Sequence, residues 1–381
     1  MEPNKKKKIR IPIPGGMNGT VLAILVLLSG IGLIMLYSAT AYSDSIRHGG
    51  NSFYTTCKQL MYTMLAFAAM FAVSRIDYHI WRKLAKFMYP AAVVLGIAVL
   101  FFGKEVNGQK RWFAIGPLSF QPAEFAKLTL ILTLASLMDL YYGMLKYYRV
   151  MLVFALAALP LVLPVISANL SSGLILVGVA FIMIYISSRK RTVFIASILA
   201  AAASVVAAFQ TGILEKVLDS YQMDRIYAWF DPVAYSSTNG FQTVQGLYAI
   251  GSGGLTGRGL GESVQTLGYL PEAQNDMIFS IICEELGLVG ASCIIVLFLI
   301  LIWQMEKVAV SAPDFFGSMI ASGIMAHIAI QVLMNIAVVT NTMPNTGVSL
   351  PFISYGGSSV LFLMIEIGIL LNVSTQIKME Q

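Results

Sequence analysis

Charge is what this chain has least of. Of its 381 residues only 12% are Asp, Glu, Lys or Arg, while 57% are hydrophobic. A soluble domain carries about a quarter of its residues as charges, so a soluble globular enzyme is excluded. Cysteine is scarce too. Cys57, Cys283 and Cys293 show no metal-ligand spacing, and the last two fall inside one apolar run. That pattern argues against a disulfide framework and for buried apolar thiols. The three histidines, His48, His79 and His327, are scattered, which suggests neither a zinc site nor a serine triad. Nor is there an internal repeat of the two-halves kind that marks many transporters.

Long hydrophobic blocks are abundant. Blocks of roughly 20 apolar residues are long enough to cross hydrocarbon. They lie near 17–38, 58–74, 86–102, 123–140, 149–166, 170–187, 192–209, 277–303, 314–340 and 358–375. The fold class expected is therefore an all-α polytopic membrane protein with about ten transmembrane helices. Gly and Pro interrupt several blocks, as membrane helices tolerate when neighbours satisfy the freed backbone groups.

The net charge of +6 is topological and does not point to a nucleic-acid partner. With the N-terminus inside, cytoplasmic segments hold 16 of the 25 Lys and Arg, among them Lys5 to Lys8, Arg10, Arg82, Lys146 and Arg189. Eight fall outside and Lys127 lies within a span. The opposite orientation would invert this positive-inside bias, so both termini are expected in the cytoplasm. The first apolar stretch is longer than a cleavable signal core and is followed by further spans, hence an uncleaved anchor. The organisation expected is a basic tail (1–16), one transmembrane domain (17–375) and a short tail (376–381). Three outer loops are long, about 103–122, 210–276 and 341–357, and the second joins spans 7 and 8. Loops of that length are usually functional or disordered. The stretch opening the second puts Leu214, Val217, Leu218 and Tyr221 on one helical face, as an interfacial helix would.

Function is sought where polar groups violate the hydropathy. In FQPAEFAKL, Pro122 suits a helix's first turn and Glu124 its positive end. Lys127 shares a face with Glu124 at i,i+3. The spacing suits both a structural ion pair and the polar wall of a substrate cavity. In AIGSGGLTGRGLGES (249–263) the glycines suit backbone packed tightly in a membrane-embedded loop, and Arg258, with Arg225 upstream, suits a phosphate ester. In YLPEAQNDMIF, Glu272 and Asp276 stand just before an apolar helix. Asp276 is there as a helix N-cap or as a general base with a raised pKa. Glu284 and Glu285 lie about 12 Å deeper along that helix, placed for hydrogen bonding inside the bundle. The run NTMPNTGVSLPFISYGGSS (341–359), with Ser354 and Tyr355, cannot be lipid-facing irregular backbone; it reads as a re-entrant or pore-lining loop.

Taken in order, NGQKRWF, FQPAEFAKL, YQMDRI, FDP, GFQTVQGLYAIGSGGLTGRGLGES, YLPEAQNDMIF, EELGLVG and PNTGVSLPFISYGGSS span nearly the whole chain. Together they resemble the SEDS family (shape, elongation, division and sporulation), the membrane glycosyltransferases of bacterial cell-wall synthesis. The ending from Asn335 resembles the cell-division branch more than the elongation branch. One departure stands out: where the family usually has Pro-Asp-Leu-Gly-Thr, this chain reads Ala168-Asn169-Leu170-Ser171-Ser172. Gln274-Asn275 also replaces the common His-Thr.

The resemblance implies polymerisation of lipid II, an undecaprenyl-pyrophosphate-linked disaccharide pentapeptide, in the bacterial cytoplasmic membrane. It makes Asp276 the catalytic base and Glu124, Lys127, Arg111, Arg225, Arg258, Glu272, Ser354 and Tyr355 members of the substrate cavity. It further implies a class B penicillin-binding protein and other division proteins as partners, and leaves room for a divalent cation (Mg or Mn) at the pyrophosphate. The alternatives are a lipid II flippase or other transporter, an elongation-type polymerase, and a scaffold that only recruits partners.

Overall fold

The computed structural model describes residues 13–14, 16–106, 109–115, 118–188, 220–238 and 240–379, with scattered positions between 192 and 212. Nine long helices are complete among them: α1 (Gly19–Arg47), α2 (Tyr54–Ser74), α3 (His79–Phe102), α4 (Pro122–Leu140), α5 (Tyr148–Ala168), α6 (Leu170–Ser187) and, after two shorter ones, α9 (Ile278–Ser311), α10 (Phe315–Val339) and α11 (Gly357–Thr375). The shorter pair, α7 (Ser220–Phe230) and α8 (Phe241–Gly253), belongs to the long second loop. Eight of the nine long helices are apolar enough to cross a membrane. The ninth, α4, has the length but carries Glu124, Lys127 and Asp139. It lies against α3, α5, α6, α10 and α11, so Glu124 and Lys127 are inside the bundle, while Asp139, at the other end of the helix, pairs with Arg82 and is partly exposed. The span expected near 192–209 and the amphipathic face of Leu214, Val217, Leu218 and Tyr221 lie outside the described residues.

Local chemistry sets the helix starts. Asn18, Asn169 and Asp314 cap α1, α6 and α10 through side-chain oxygens that accept backbone N–H groups, as these residue types do best. Pro122 opens α4, where its missing donor costs nothing. The core centres on α10 and α11: 72% of the most apolar stretch of α11 is buried, against 22% for α2. A wholly buried ionisable pair joins these two helices, His327 Nδ1 to Glu366 Oε2 at 2.8 Å. Cys283 is buried as expected, but Cys293 is exposed on the surface of α9.

The first outer loop is not helical. It forms a small antiparallel sheet, β1 (Lys104–Val106), β2 (Gln109–Ile115) and β3 (Leu118–Phe120). Lys104 pairs with Trp112, and Phe113 with Phe120.

The Gly-rich run leaves α8 and packs on a break in α9 at Gly287, whose φ of 66° only glycine adopts easily. Backbone N–H groups of Arg258 and Gly259 donate to the carbonyls of Glu284 and Glu285, and those of Leu288 and Val289 to Gly254 and Leu255. A Cβ at Gly257 would meet Glu285 O at 2.1 Å. Gly253 and Gly257 thus serve close backbone approach, whereas Gly251, Gly254 and Gly261 have open space where a Cβ would stand. Loop 341–356 has no regular structure, yet Val348, Leu350, Phe352, Ile353 and Ser354 are buried. Its backbone at Ile353 lies against Gly32 of α1.

Candidate functional site

A cavity of about 530 Å³ opens where α2, the β-sheet, the starts of α4, α6 and α11, and loop 341–356 converge. That volume falls in the usual range of ligand sites. Its wall carries Lys58, Lys104, Arg111 and Lys127 against one carboxylate, Glu124. Lys127 Nζ lies 2.8 Å from Glu124 Oε1, with both side chains buried. The pair is therefore an ion pair and a cavity wall at once. Among the described residues Glu124 Oε2 has no hydrogen-bond partner, a costly condition for a buried charge.

Arg111 donates from Nε to Ala168 O at 3.2 Å, holding the sheet to the α5–α6 junction. Asn169, at that junction, also lines the cavity. Its Oδ1 accepts from Ser171 N at 3.1 Å and Ser172 N at 3.3 Å. Asn and Asp rank together as caps, so the amide keeps the helix start while removing a negative charge from a cationic wall. Tyr355 and Ser354 divide. Tyr355 lines the cavity, and its N–H donates to Gln274 O at 2.9 Å. Ser354 Oγ is turned inward and accepts Leu350 N at 2.8 Å, which closes the loop on itself.

Asp276 is buried beside the cavity and does not itself line it. Asn275 before it and Gly347 across from it both line the cavity, and a Cβ on Gly347 would come within 3.7 Å of Asp276 Oδ2. Helix α9 begins at Ile278 with Met277 in the cap position and no side-chain cap bond, so Asp276 is not the N-cap that its position suggested. Its Oδ1 accepts Gln242 Nε2 at 3.3 Å, and its carbonyl accepts Asn335 Nδ2 at 2.8 Å. Burial pushes its carboxyl up to about 6, opposed first by a hydrogen bond from its own backbone N–H and then by Arg225 and the Gln242 hydrogen bond, and aided by the charge of Glu272. At neutral pH such a group is still ionised, and it is a stronger base than an ordinary carboxylate.

Glu272 has a positive φ of 54°, and its carboxylate accepts the Asn275 side-chain amide. Arg225 donates from Nη1 to Asn345 O at 3.0 Å, bracing the loop behind Asp276. Arg258 is elsewhere. It faces Glu284 Oε1 at 3.4 Å, away from the cavity, and Glu284 also accepts Ser263 Oγ and Val264 N. Glu285 accepts Ser38 Oγ of α1. Both glutamates bond within the bundle, as their depth suggested. Sequence reading did not single out Lys58, Lys104, Gln242 or Asn345. For Lys58 a signal was present: a cation at the start of an apolar run.

Comparison with known proteins gives concordant matches. The model of the FtsW/RodA/SpoVE family, described as cell cycle proteins, matches residues 19–379. Stage V sporulation protein E of Bacillus subtilis is 37% identical over 359 residues, covering 93% of this chain and 96% of that protein. A probable peptidoglycan glycosyltransferase FtsW of Geobacter sp. (strain M18) is 33% identical over 368 residues, covering 95% and 98%. Among solved structures, a chain from a work on structural coordination of polymerization and crosslinking by a peptidoglycan synthase complex superposes with a TM-score of 0.75. It covers 94% of this chain and 97% of that one at 23% identity, a likeness of fold.

Proposed function

This chain belongs to the FtsW/RodA/SpoVE family of cell cycle proteins, and from that we propose that it is a peptidoglycan glycosyltransferase joining lipid II units into glycan strands. The observation that carries the reading is the placement of Asp276, a buried carboxylate, between two lining residues, Asn275 and Gly347, of a cavity walled by Lys58, Lys104, Arg111 and Lys127. An acceptor sugar hydroxyl passes its proton to Asp276 as its oxygen attacks the anomeric carbon of the donor. The bond from that carbon to the pyrophosphate breaks, and the electron pair leaves on the phosphate oxygen. Cations fixed beforehand around the leaving group stabilise that charge. Arg111 and Lys127, with the Glu124 partner that orients Lys127, fit this role; Tyr355 completes the wall. Arg225 and Glu272 tune Asp276, while Arg258 acts on the fold of the Gly-rich loop. The lipid tail lies between helices.

Among the described residues no group of three His, Cys, Asp or Glu side chains converges to hold a metal. A Mg or Mn ion would therefore enter on the pyrophosphate, as Mg commonly does, and supply further charge there.

The chain works as one transmembrane domain (17–375) of the cytoplasmic membrane, with tails 1–16 and 376–381 inside and the cavity on the outer face. Charge asymmetry supports this orientation. Reporter fusions at 145, 190 and 308 are expected to read cytoplasmic, and those at 108, 235 and 346 external. A single-span class B penicillin-binding protein is the partner proposed, in keeping with the fold's likeness to a synthase-complex chain. The wall made is that of division. A sporulation role is the second reading, favoured by the 37% identity to the stage V protein. Depletion in the host separates them, giving filaments in the first case and normal growth with failed sporulation in the second.

The test of activity is polymer from labelled lipid II with the purified protein, alone and with the transpeptidase. Polymer dependent on Asp276 is expected; lipid translocation without polymer in either preparation points to a flippase.

A further inference from the structure

Asp276 Oδ1 is the end of a chain of amides whose every orientation is forced. Gln242 Nε2 donates to Pro271 O at 3.2 Å and to Asp276 Oδ1 at 3.3 Å. A backbone carbonyl only accepts, so the nitrogen of Gln242 must face Pro271 and hence also Asp276. On its other side Gln242 Oε1 accepts Asn345 Nδ2 at 2.8 Å. The Asn345 amide is fixed in turn because its Oδ1 accepts the N–H of Gly347 at 3.2 Å, a group that only donates. One end of the chain is thus anchored on loop 341–356 and the other on the turn before α9. The amides pass direction from one to the next, and the last delivers a donor to one oxygen of the carboxylate.

Asp276 Oδ2 differs. The Gln242 side chain takes Oδ1, and the other hydrogen bond to the carboxylate comes from Asp276's own backbone N–H; Oδ2 is turned toward Gly347 of the cavity wall, where a Cβ would stand 3.7 Å from it. We propose that Gln242 is a positioning residue for Asp276: held by Asn345, its amide occupies Oδ1 and leaves Oδ2 as the oxygen that takes the acceptor proton. This rests on the reading of Asp276 as the base. Gln242 lies in GFQTVQGLYAIGSGG at the start of α8, and holding Asp276 gives that segment a part in the site beyond its glycines. The other charged groups acting on Asp276 are Glu272 and Arg225; both remain in the variants below.

The experiment measures initial rates of polymer formation from labelled lipid II between pH 5 and 9, for wild type, Gln242→Glu and Gln242→Leu. Wild type should lose activity toward acid with a midpoint near 6, the value set for Asp276. In Gln242→Glu a second carboxylate meets the first, so the two share a proton and the midpoint moves up by about one pH unit or more. Its kcat at pH 7 falls about twofold or more with KM for lipid II nearly unchanged, and activity returns at pH 8.5 or above. Gln242→Leu removes the donor without adding charge; kcat falls several-fold, KM holds, and the midpoint moves up slightly. A merely structural Gln242 would change thermal stability and the amount of active protein while leaving the acid midpoint where it was. Acid midpoints and kcat equal to wild type in both variants overturn the proposal. A wild-type profile with no acid limb near 6 instead removes the base assignment on which it stands.

Discussion

Lys127 Nζ and Glu124 Oε1 are 2.8 Å apart across the first two turns of α4, with side chains only 2% and 7% exposed. Breaking such a pair on one side strands a buried charge, which costs about 3–5 kcal/mol. Glu124→Ala is therefore expected to reduce thermal stability in detergent more than Glu124→Ala with Lys127→Ala, which removes both charges. Because both residues line the cavity, restored stability in the double variant should come without restored polymerisation. Activity recovering together with stability would reduce the pair to a structural role.

Asn335 is fully buried and donates from Nδ2 to Asp276 O at 2.8 Å and Val348 O at 2.7 Å. It ties the base to the loop across the cavity. Asn335→Ala leaves two buried carbonyls without donors, each costing roughly 1–3 kcal/mol. Asn335→Asp keeps the volume but offers oxygen to oxygen, and should be worse. Thermal inactivation of the two variants is the check, and a wild-type midpoint in Asn335→Asp would contradict the hydrogen-bond assignment.

The glycines of the second loop differ sharply in what surrounds them. A Cβ at Gly253 would meet Cys283 O at 1.9 Å, whereas Gly251, two residues earlier on the same helix, has nothing within 4 Å. Gly253→Ala is expected to abolish accumulation of folded protein. Gly251→Ala should be tolerated within a few tenths of a kcal/mol, or be slightly stabilising as Ala replaces Gly in a helix. Expression level and size-exclusion profile read the difference.

How much of this was legible beforehand follows from the kind of interaction involved. The spans were legible because bilayer thickness imposes a length on apolar runs, and nine of the ten expected have a described helix. The Glu124–Lys127 pair was legible because i,i+3 neighbours on a helix must face the same way. The small sheet of residues 104–120 was not: its strands are short, and the pairing of Lys104 with Trp112 depends on chain reversal rather than on periodicity. Arg258 looked like a phosphate ligand because it stands among glycines. Its actual counterpart, Glu284, is 26 residues away on α9 and is brought near by the break at Gly287. Gln242 and Asn345 were invisible for the same reason. Neutral amides carry no hydropathy violation strong enough to flag, and they touch only after two loops fold together.

Asp276 joins function and stability through one number. Its carboxyl ordinarily titrates at 3.8, and burial raises it to about 6. A raised folded-state pKa means that the native state prefers the protonated form. The stability contributed by that preference is complete below about 3.8 and is lost as pH rises through about 6. At pH 7 the ionised native state thus bears a penalty on the order of 3 kcal/mol at most, given about 1.4 kcal/mol per unit. Asp276→Asn removes the charge while keeping the shape. It should therefore be more thermostable than wild type at pH 7 and gain little at pH 4. Polymerisation should fall by roughly 10²-fold or more, the scale of general-base catalysis, while lipid II binding and partner binding persist. Since the Asp276 carboxylate does not cap α9, loss of a cap cannot account for that fall. The measurement is a pair of melting curves at pH 4 and 7 beside a polymer assay. Near-wild-type polymer from Asp276→Asn would take Asp276 out of the mechanism, and equal melting at pH 7 would show that its charge is better solvated than its burial implies.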